Sequence, residues 1–185
     1  MTIGVLALDV DGVLTDGGLY LSGLGEEMLR FGVLDGLGIT RWLQTGRLCV
    51  WVSARSSPAA AVRAERLGVK HLLFGVHDKA SALESFLGEH GYTWADVAYM
   101  GDDLVDMEPV MRAGLGIAVA NAVAEVRDAA RYVTVASGGA GAVREVVDML
   151  LGSDTRPFHE TTQEADAGSR GSCRTPAGRH RSRTP

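Results

Sequence analysis

Two aspartates stand two positions apart in LALDVDGVLTDGG, residues 6–18, where an apolar run ends and glycines follow. A carboxylate buried without a partner is costly, so Asp9 and Asp11 are either solvated in a turn or compensated by a cation. Residues i and i+2 of an extended chain share a side, so the pair can converge. Gly12 lets the backbone turn tightly, with its N–H groups facing inward as an anion cradle. A second acidic group, Asp102, Asp103 and Asp106, follows the apolar run VAYMG. Capping accounts for one acid at a helix start, not for three. Unit charges about 4 Å apart interact by roughly 4 kcal/mol at an effective dielectric of 20, so five converging carboxylates need a counter-cation. Magnesium suits such hard oxygen ligands, shared among carboxylates, a carbonyl, waters and phosphate.

Two further positions fit the same chemistry. Ser53 ends the apolar run LCVWVS, and Ser57 before Pro58 already supplies the cap of the next helix, which frees the Ser53 hydroxyl to bind a phosphate oxygen or to serve an ordinary loop. Lys79 in VHDKASALESFL falls in the first turn of a helix. A cation there opposes the helix dipole by a few tenths of a kcal/mol, wrong for stability and right for gripping an anion, although an exposed surface lysine would read alike. His71, His77 and His90 show no metal-ligand spacing.

These positions need a frame that brings them to one place. Short β-type runs at 3–9, 48–53, 71–74, 96–101, 115–119 and 132–135 alternate with helix-period segments near 35–46, 58–68, 78–90, 105–113, 123–130 and 141–151. The alternation predicts an α/β fold with a doubly wound, Rossmann-like parallel sheet. Such sheets bind ligands beyond the carboxyl ends of their strands, where strand order reverses, and every position above lies at such an end. Residues 17–33 break the pattern and read as a projecting β-hairpin around a Gly-containing turn. Its Tyr20, Leu21, Met28, Leu29 and Phe31 either fold back on the domain or meet another subunit. Trp42, Trp51 and Trp94 read as core or interface.

Bulk properties bound the partners. The chain has 185 residues, 46% hydrophobic, and a net charge of −5. Its mean hydropathy is +0.07 and its pI is near 5.5. One cored domain over 1–152 is expected, with a small-molecule partner rather than nucleic acid or an anionic membrane. Residues 153–185 lose aliphatic side chains and carry six arginines against four acids, which predicts a disordered C-terminal tail. Two cysteines, Cys49 and Cys173, suggest neither a disulfide framework nor a zinc cluster and fit a cytoplasmic location. The first apolar stretch meets Asp9 too early for a signal peptide or membrane span.

Taken in order, Asp9-Val-Asp11-Gly-Val-Leu-Thr15, Ser53, Lys79 and Gly101-Asp102-Asp103-x-x-Asp106 resemble the four motifs of the haloacid dehalogenase superfamily. The finer pattern LDVDGVLTDGGLY, DGLGI, SAR, DK, VAYMGDDLVD and GGAGAVREV is similar to the 3-deoxy-D-manno-octulosonate 8-phosphate phosphatases, a lipopolysaccharide-related family. The resemblance implies a phosphoric monoester hydrolase with Asp9 as nucleophile, through an aspartyl-phosphate, and Asp11 as general acid and base. It implies magnesium held by Asp9, the Asp11 carbonyl and Asp102, with Asp103 and Asp106 orienting that shell. Ser53, Arg55 and Lys79 would bind a sugar-acid phosphate. Only 41 residues separate Asp11 from Ser53 and 25 separate Ser53 from Lys79, too few for a cap domain. In capless relatives the hairpin after the first motif builds a tetramer, so a homotetramer through 17–33 is expected.

The chain departs from that family's pattern at Leu34 and Ala140, where an arginine is usual, and in SAR for TGR. Arg55 keeps the eight-carbon substrate ahead of the nonulosonate 9-phosphates. The alternatives outside this activity are a non-catalytic module like the C-terminal domains of acylneuraminate cytidylyltransferases, and a phospho-receiver domain. The run 71–74 ends in Phe-Gly, without the acceptor aspartate a receiver would place there.

Overall fold

The first apolar run becomes strand β1 (Val5–Asp9), every residue of which is buried. Both of its faces are covered, which is why the sequence shows a continuous apolar stretch instead of an alternation. The computed structural model describes residues 3–152. The remaining elements in chain order are β2 (Tyr20–Leu21), β3 (Glu27–Met28), α1 (Val33–Gln44), β4 (Leu48–Ser53), α2 (Pro58–Leu67), β5 (His71–Phe74), α3 (Lys79–His90), β6 (Val97–Gly101), α4 (Met107–Arg112), β7 (Leu115–Ala118), α5 (Ala124–Ala129), β8 (Tyr132–Val133) and α6 (Ala142–Gly152). The large sheet has the order β5-β4-β1-β6-β7-β8, and all its neighbouring strands run parallel. From β1 the chain winds outward through β4 and β5, then crosses back to β6. The switch point therefore lies between β1 and β6, and it is there that Asp9 and Asp102 leave their strands.

The expected doubly wound architecture is present, and the intervals between the motifs hold only the hairpin with α1, and α2 with β5; no cap domain is inserted. Differences are confined to ends. Helix α1 begins at Val33 rather than 35, and the segment expected as one helix from 105 divides into a 3₁₀ turn, Leu104–Asp106, followed by α4. Ser57 caps α2 as its type and the following proline predict, its Oγ accepting from the Ala60 amide at 3.3 Å. Trp42 and Trp51 are fully buried, and the Trp42 Nε1 donates to the Leu48 carbonyl at 2.7 Å. Trp94 packs under the Arg112 guanidinium. Cys49 is buried in β4. The expected tail over 153–185, with Cys173, lies outside the described residues.

The hairpin forms with Tyr20 opposite Met28 and Leu21 opposite Glu27, and a bridge between Thr15 and Phe31 closes its base. Its apolar residues divide between two environments. Leu29 and Phe31 pack on the core, Phe31 stacking on Trp51 with ring centroids 6.2 Å apart. Tyr20, Leu21 and Met28 remain exposed, together with Leu19 and Leu24. The two readings of the hairpin thus apply to different parts of it: its base belongs to this domain, and its tip presents apolar surface to solvent.

A contact across the whole chain closes the structure. Asp35, buried in the first turn of α1, accepts hydrogen bonds from the amides of Gly141 and Val143 at 3.0 Å and of Arg144 at 3.2 Å. These amides open α6, so a carboxylate from α1 satisfies the orphan donors and meets the positive end of the dipole. The preceding loop presses backbone to backbone on the turn after β1: Gly139 donates to the Val13 carbonyl at 3.0 Å, and a Cβ on Gly138 would overlap the Gly12 carbonyl. Asn121 joins the two segments, accepting from the Gly138 amide at 2.7 Å and donating to the Gly12 carbonyl at 3.4 Å.

Replacing Asp35 by alanine strands three amides at a helix start. The expected loss is about 2–4 kcal/mol of stability, read as a lower urea midpoint at unchanged slope, with Asp35→Asn losing less because it retains one acceptor oxygen.

Candidate active site

Beyond the carboxyl ends of β1, β4 and β6 lies a cavity of about 280 Å³ lined by Asp9, Asp11, Ser53, Arg55, Lys79, Asp102 and Asp103, with Gly17, Ala54 and Val105 at its rim. All four sequence clusters therefore meet in one pocket. Asp106, the remaining expected residue, lies behind the wall and is fully buried.

The pocket floor is an arrangement of charges. Lys79 is the first residue of α3, with Asp78 as cap, and its ammonium is 2.7 Å from Asp9 Oδ1 and 2.7 Å from Asp106 Oδ1. All three side chains are almost wholly removed from water. Burial works against the charge on Lys79, but Asp9 and Asp106 outweigh it and hold its pKa above the ordinary lysine value. Asp106 is saturated. Its Oδ1 accepts from Lys79 and from the Tyr99 hydroxyl at 2.6 Å, and its Oδ2 from the amides of Asp102 at 3.1 Å and Asp103 at 3.4 Å. Those bonds fix the turn that carries Asp102.

Asp9, Asp102 and Asp106 each offer an oxygen within 4.8 Å of the others. Three carboxylates beside one ammonium leave two negative charges in a poorly solvated space. The consequence is visible in their acidity: burial, reinforced by Asp106, pushes Asp9 well above the usual carboxylate range despite Lys79. Asp102 is raised to about 6, chiefly by burial and then by Asp106, while a hydrogen bond with Asp9 and the charge on Lys79 oppose the rise. A divalent cation matches both the residual charge and the hard oxygen donors, and the donors with capacity to hold it are Asp9 and Asp102. Gly12 is part of this fit, because its φ is +87° and a Cβ there would overlap the Asp102 carboxylate.

Several expectations take a different form in the structure. Asp106 completes the side-chain cluster, whereas the Asp11 carboxylate turns to Arg55, its Oδ2 3.2 Å from Arg55 Nε, an arrangement compatible with the expected ligation through the Asp11 carbonyl. The Gly12 amide does not face the pocket as a cradle; it donates to Thr15 Oγ1 at 3.2 Å, as does the Gly17 amide at 3.2 Å. Capping explains more of the second acidic group than one acid. Asp103 caps the 3₁₀ turn through the Leu104 amide at 2.7 Å, and Asp106 completes a capping box with it. Asp103 therefore acts on its own turn, whereas Asp106 serves both that turn and Lys79. Ser53 Oγ accepts from the Arg55 amide at 3.1 Å, which leaves its hydroxyl hydrogen free to donate. His77 has no place in the pocket lining.

Other supporting residues were not evident beforehand. Glu27 of the hairpin holds Arg55 and Ser57, Tyr99 holds Asp106, and Thr15 and Asn121 hold the turn after β1. Thr15 and Tyr99 stood inside quoted motifs without a role of their own; Glu27 and Asn121 meet their partners across long stretches of chain.

Comparison with known proteins agrees with this geometry. A family profile of haloacid dehalogenase-like hydrolases matches residues 68–146. The chain is 41% identical over 149 residues to the 3-deoxy-D-manno-octulosonate 8-phosphate phosphatase KdsC of Escherichia coli K12, covering 80% of this chain and 79% of that protein. It superposes with a TM-score of 0.79 and 40% identity on the phosphatase of the same name from Moraxella catarrhalis in complex with magnesium, phosphate and KDO, over 80% of this chain and 86% of the other. The cobalt-bound deoxy-D-mannose-octulosonate 8-phosphate phosphatase of Haemophilus influenzae gives 0.78 and 38%, over 81% and 88%.

The raised pKa values set a test. Between the ordinary 3.8 and about 6, the native state binds a proton at Asp102 more tightly than the unfolded chain does, so metal-free protein gains stability from this group as pH falls through that window. Magnesium replaces the proton. Thermal melts should show a magnesium-dependent rise in Tm that is large at pH 8, shrinks as pH drops below about 6, and is lost in Asp102→Asn.

Proposed function

The chain belongs to the 3-deoxy-D-manno-octulosonate 8-phosphate phosphatase family of haloacid dehalogenase-like hydrolases, and from that membership we propose how its own residues release phosphate from the eight-carbon sugar acid. The observation that carries the reading is the buried group of Asp9, Asp102 and Asp106 around Lys79, two charges short of neutrality, on the floor of a pocket that opens to Asp11, Ser53 and Arg55.

Asp9 is the nucleophile. Lys79 Nζ, 2.7 Å from Asp9 Oδ1, fixes the direction of the carboxylate and offsets part of its charge. Its oxygen attacks phosphorus while the bond from phosphorus to the sugar oxygen breaks, which gives an aspartyl-phosphate. Asp11 stands at the pocket wall with about a third of its side chain open to solvent, as a group that exchanges protons with an alcohol and then with water requires. It protonates the leaving sugar oxygen. It then takes a proton from the water that cleaves the aspartyl-phosphate, and inorganic phosphate leaves with Asp9 restored. Ser53 Oγ and Lys79 Nζ hold the phosphoryl oxygens, and Arg55 holds the sugar acid. Magnesium, kept by Asp9, Asp102 and the Asp11 carbonyl, supplies positive charge where charge accumulates on the phosphoryl group. Asp106 holds Lys79 and the Asp102 turn in place, and Asp103 caps that turn.

We propose further that the exposed tip of the hairpin, Leu19, Tyr20, Leu21, Leu24 and Met28, joins four copies of the chain. The net charge of −5 supports a small anionic metabolite as partner only with a bound cation, and argues against nucleic acid or an anionic membrane. No helix among the described residues is long and apolar enough to cross a membrane, and we place the enzyme in the cytoplasm.

Phosphate release from 3-deoxy-D-manno-octulosonate 8-phosphate should require Mg²⁺, and Asp9→Asn should lower kcat by about 10³-fold or more with an unchanged circular-dichroism spectrum. Turnover retained in that variant would refute the covalent route. Gel filtration should place the protein near four times its 19.6 kDa chain mass, with Leu21→Lys combined with Met28→Glu shifting it to smaller species.

A further inference from the structure

The sugar-binding role of Arg55 depends on where its guanidinium is held, and nothing in its own loop holds it. Two carboxylates flank it. Arg55 Nε is 3.2 Å from Asp11 Oδ2 but out of line for a hydrogen bond, so that N–H is buried without an acceptor. Arg55 Nη2 donates to Glu27 Oε2 at 2.6 Å. Arg55 Nη1 has no protein partner among the described residues, and the side chain, about 38% exposed, lines the cavity.

Glu27 is itself fixed. Its other oxygen accepts from the Ser57 hydroxyl at 2.7 Å, and it sits in β3, which the Thr15–Phe31 bridge and the Phe31–Trp51 stack tie to the core. The Ser57 bond, with Arg55 assisting, keeps the Glu27 carboxyl below its usual range against the cost of burial, so it stays anionic. A mobile arginine this close to Asp11 would otherwise close on that carboxylate, the nearest alternative anion.

We propose that Glu27 is the positioning residue of Arg55: from the hairpin it holds Nη2, so that only the Nε edge of the guanidinium rests beside Asp11 and Nη1 is left for the part of the substrate beyond the phosphoryl group. Two consequences follow from that geometry. The hairpin is then part of the specificity pocket of its own subunit as well as a surface for contact. The Glu27–Arg55 pair would matter for a sugar acid and be indifferent to a phosphate ester lacking polar groups past the ester oxygen. This inference rests on the phosphatase reading above.

The test compares wild type, Glu27→Gln, Arg55→Ala and the double variant on two substrates, 3-deoxy-D-manno-octulosonate 8-phosphate and p-nitrophenyl phosphate. Glu27→Gln retains one acceptor oxygen for Ser57 and removes the charge together with the acceptor that faces Arg55. It should raise KM for the sugar acid about tenfold with kcat within about threefold, and leave kcat/KM for the nitrophenyl ester within about twofold. In the Arg55→Ala background the same change should add nothing, because Glu27 acts through Arg55. Equal losses on both substrates, an unchanged KM, or additive effects would overturn the proposal. NMR supplies a readout that needs no substrate: rotation of the Arg55 guanidinium should be restricted in wild type and averaged in Glu27→Gln, and equal mobility in the two would also overturn it. Failure of wild type on the sugar acid alone would count against the substrate reading, while the guanidinium measurement would still decide the role of Glu27.

Discussion

Lys79 lies between Asp9 and Asp106 where the parallel sheet changes direction, and the organisation of the pocket depends on that buried ammonium. An isolated charge in such a place would be neutralised by a shifted pKa; two carboxylates at 2.7 Å prevent it. The position at the start of α3 is unfavourable for a cation by a few tenths of a kcal/mol, a small cost beside removing one member of a buried ion network, about 3–5 kcal/mol. The helix start is therefore not what places Lys79. Its partners do, and they come from the ends of β1 and from the turn after β6.

One ammonium among three carboxylates also explains why the site is tuned for a divalent ion rather than simply tolerant of one. Asp106 has each oxygen filled by two donors, so it holds the others in place. Asp9 and Asp102 are left with capacity and with excess charge, which burial turns into raised pKa values. Charge imbalance and donor saturation together distinguish a ligand from a support, a distinction that the spacing of aspartates along the chain does not contain.

The sheet, its order of helices, the hairpin and the gathering of Asp9, Asp11, Ser53, Lys79 and Asp102 were all legible in the sequence, because each depends on local signals: buried runs of β-type residues, a Ser-Pro helix start, and acids or hydroxyls at strand ends. The partition of roles was not. Asp35 reads as one more acid in a helix, yet its three donors come from residues 106 to 109 positions away. Gly12 reads as a glycine whose amide could cradle an anion, but Thr15, three residues on, takes that amide. Glu27 draws no reading of its own among the hairpin residues, yet it reaches 28 residues forward to Arg55. For Asp35 and Glu27 the missing information is a tertiary partner and for Gly12 a local one; in each the sequence offers the donor or acceptor without saying which of many counterparts it meets.

Strand β1 carries a consequence for how the polypeptide is made. On one side it pairs with β4, within the first third of the chain; on the other it pairs with β6, residues 97–100, and the turn that follows it is braced by Gly138 and Gly139. A ribosome that has emitted only about the first ninety residues therefore exposes a half-paired central strand with no brace under the turn that carries Asp11. The brace arrives only with the loop before α6, and until β6 emerges the unpaired edge of β1 is open to pairing with other chains.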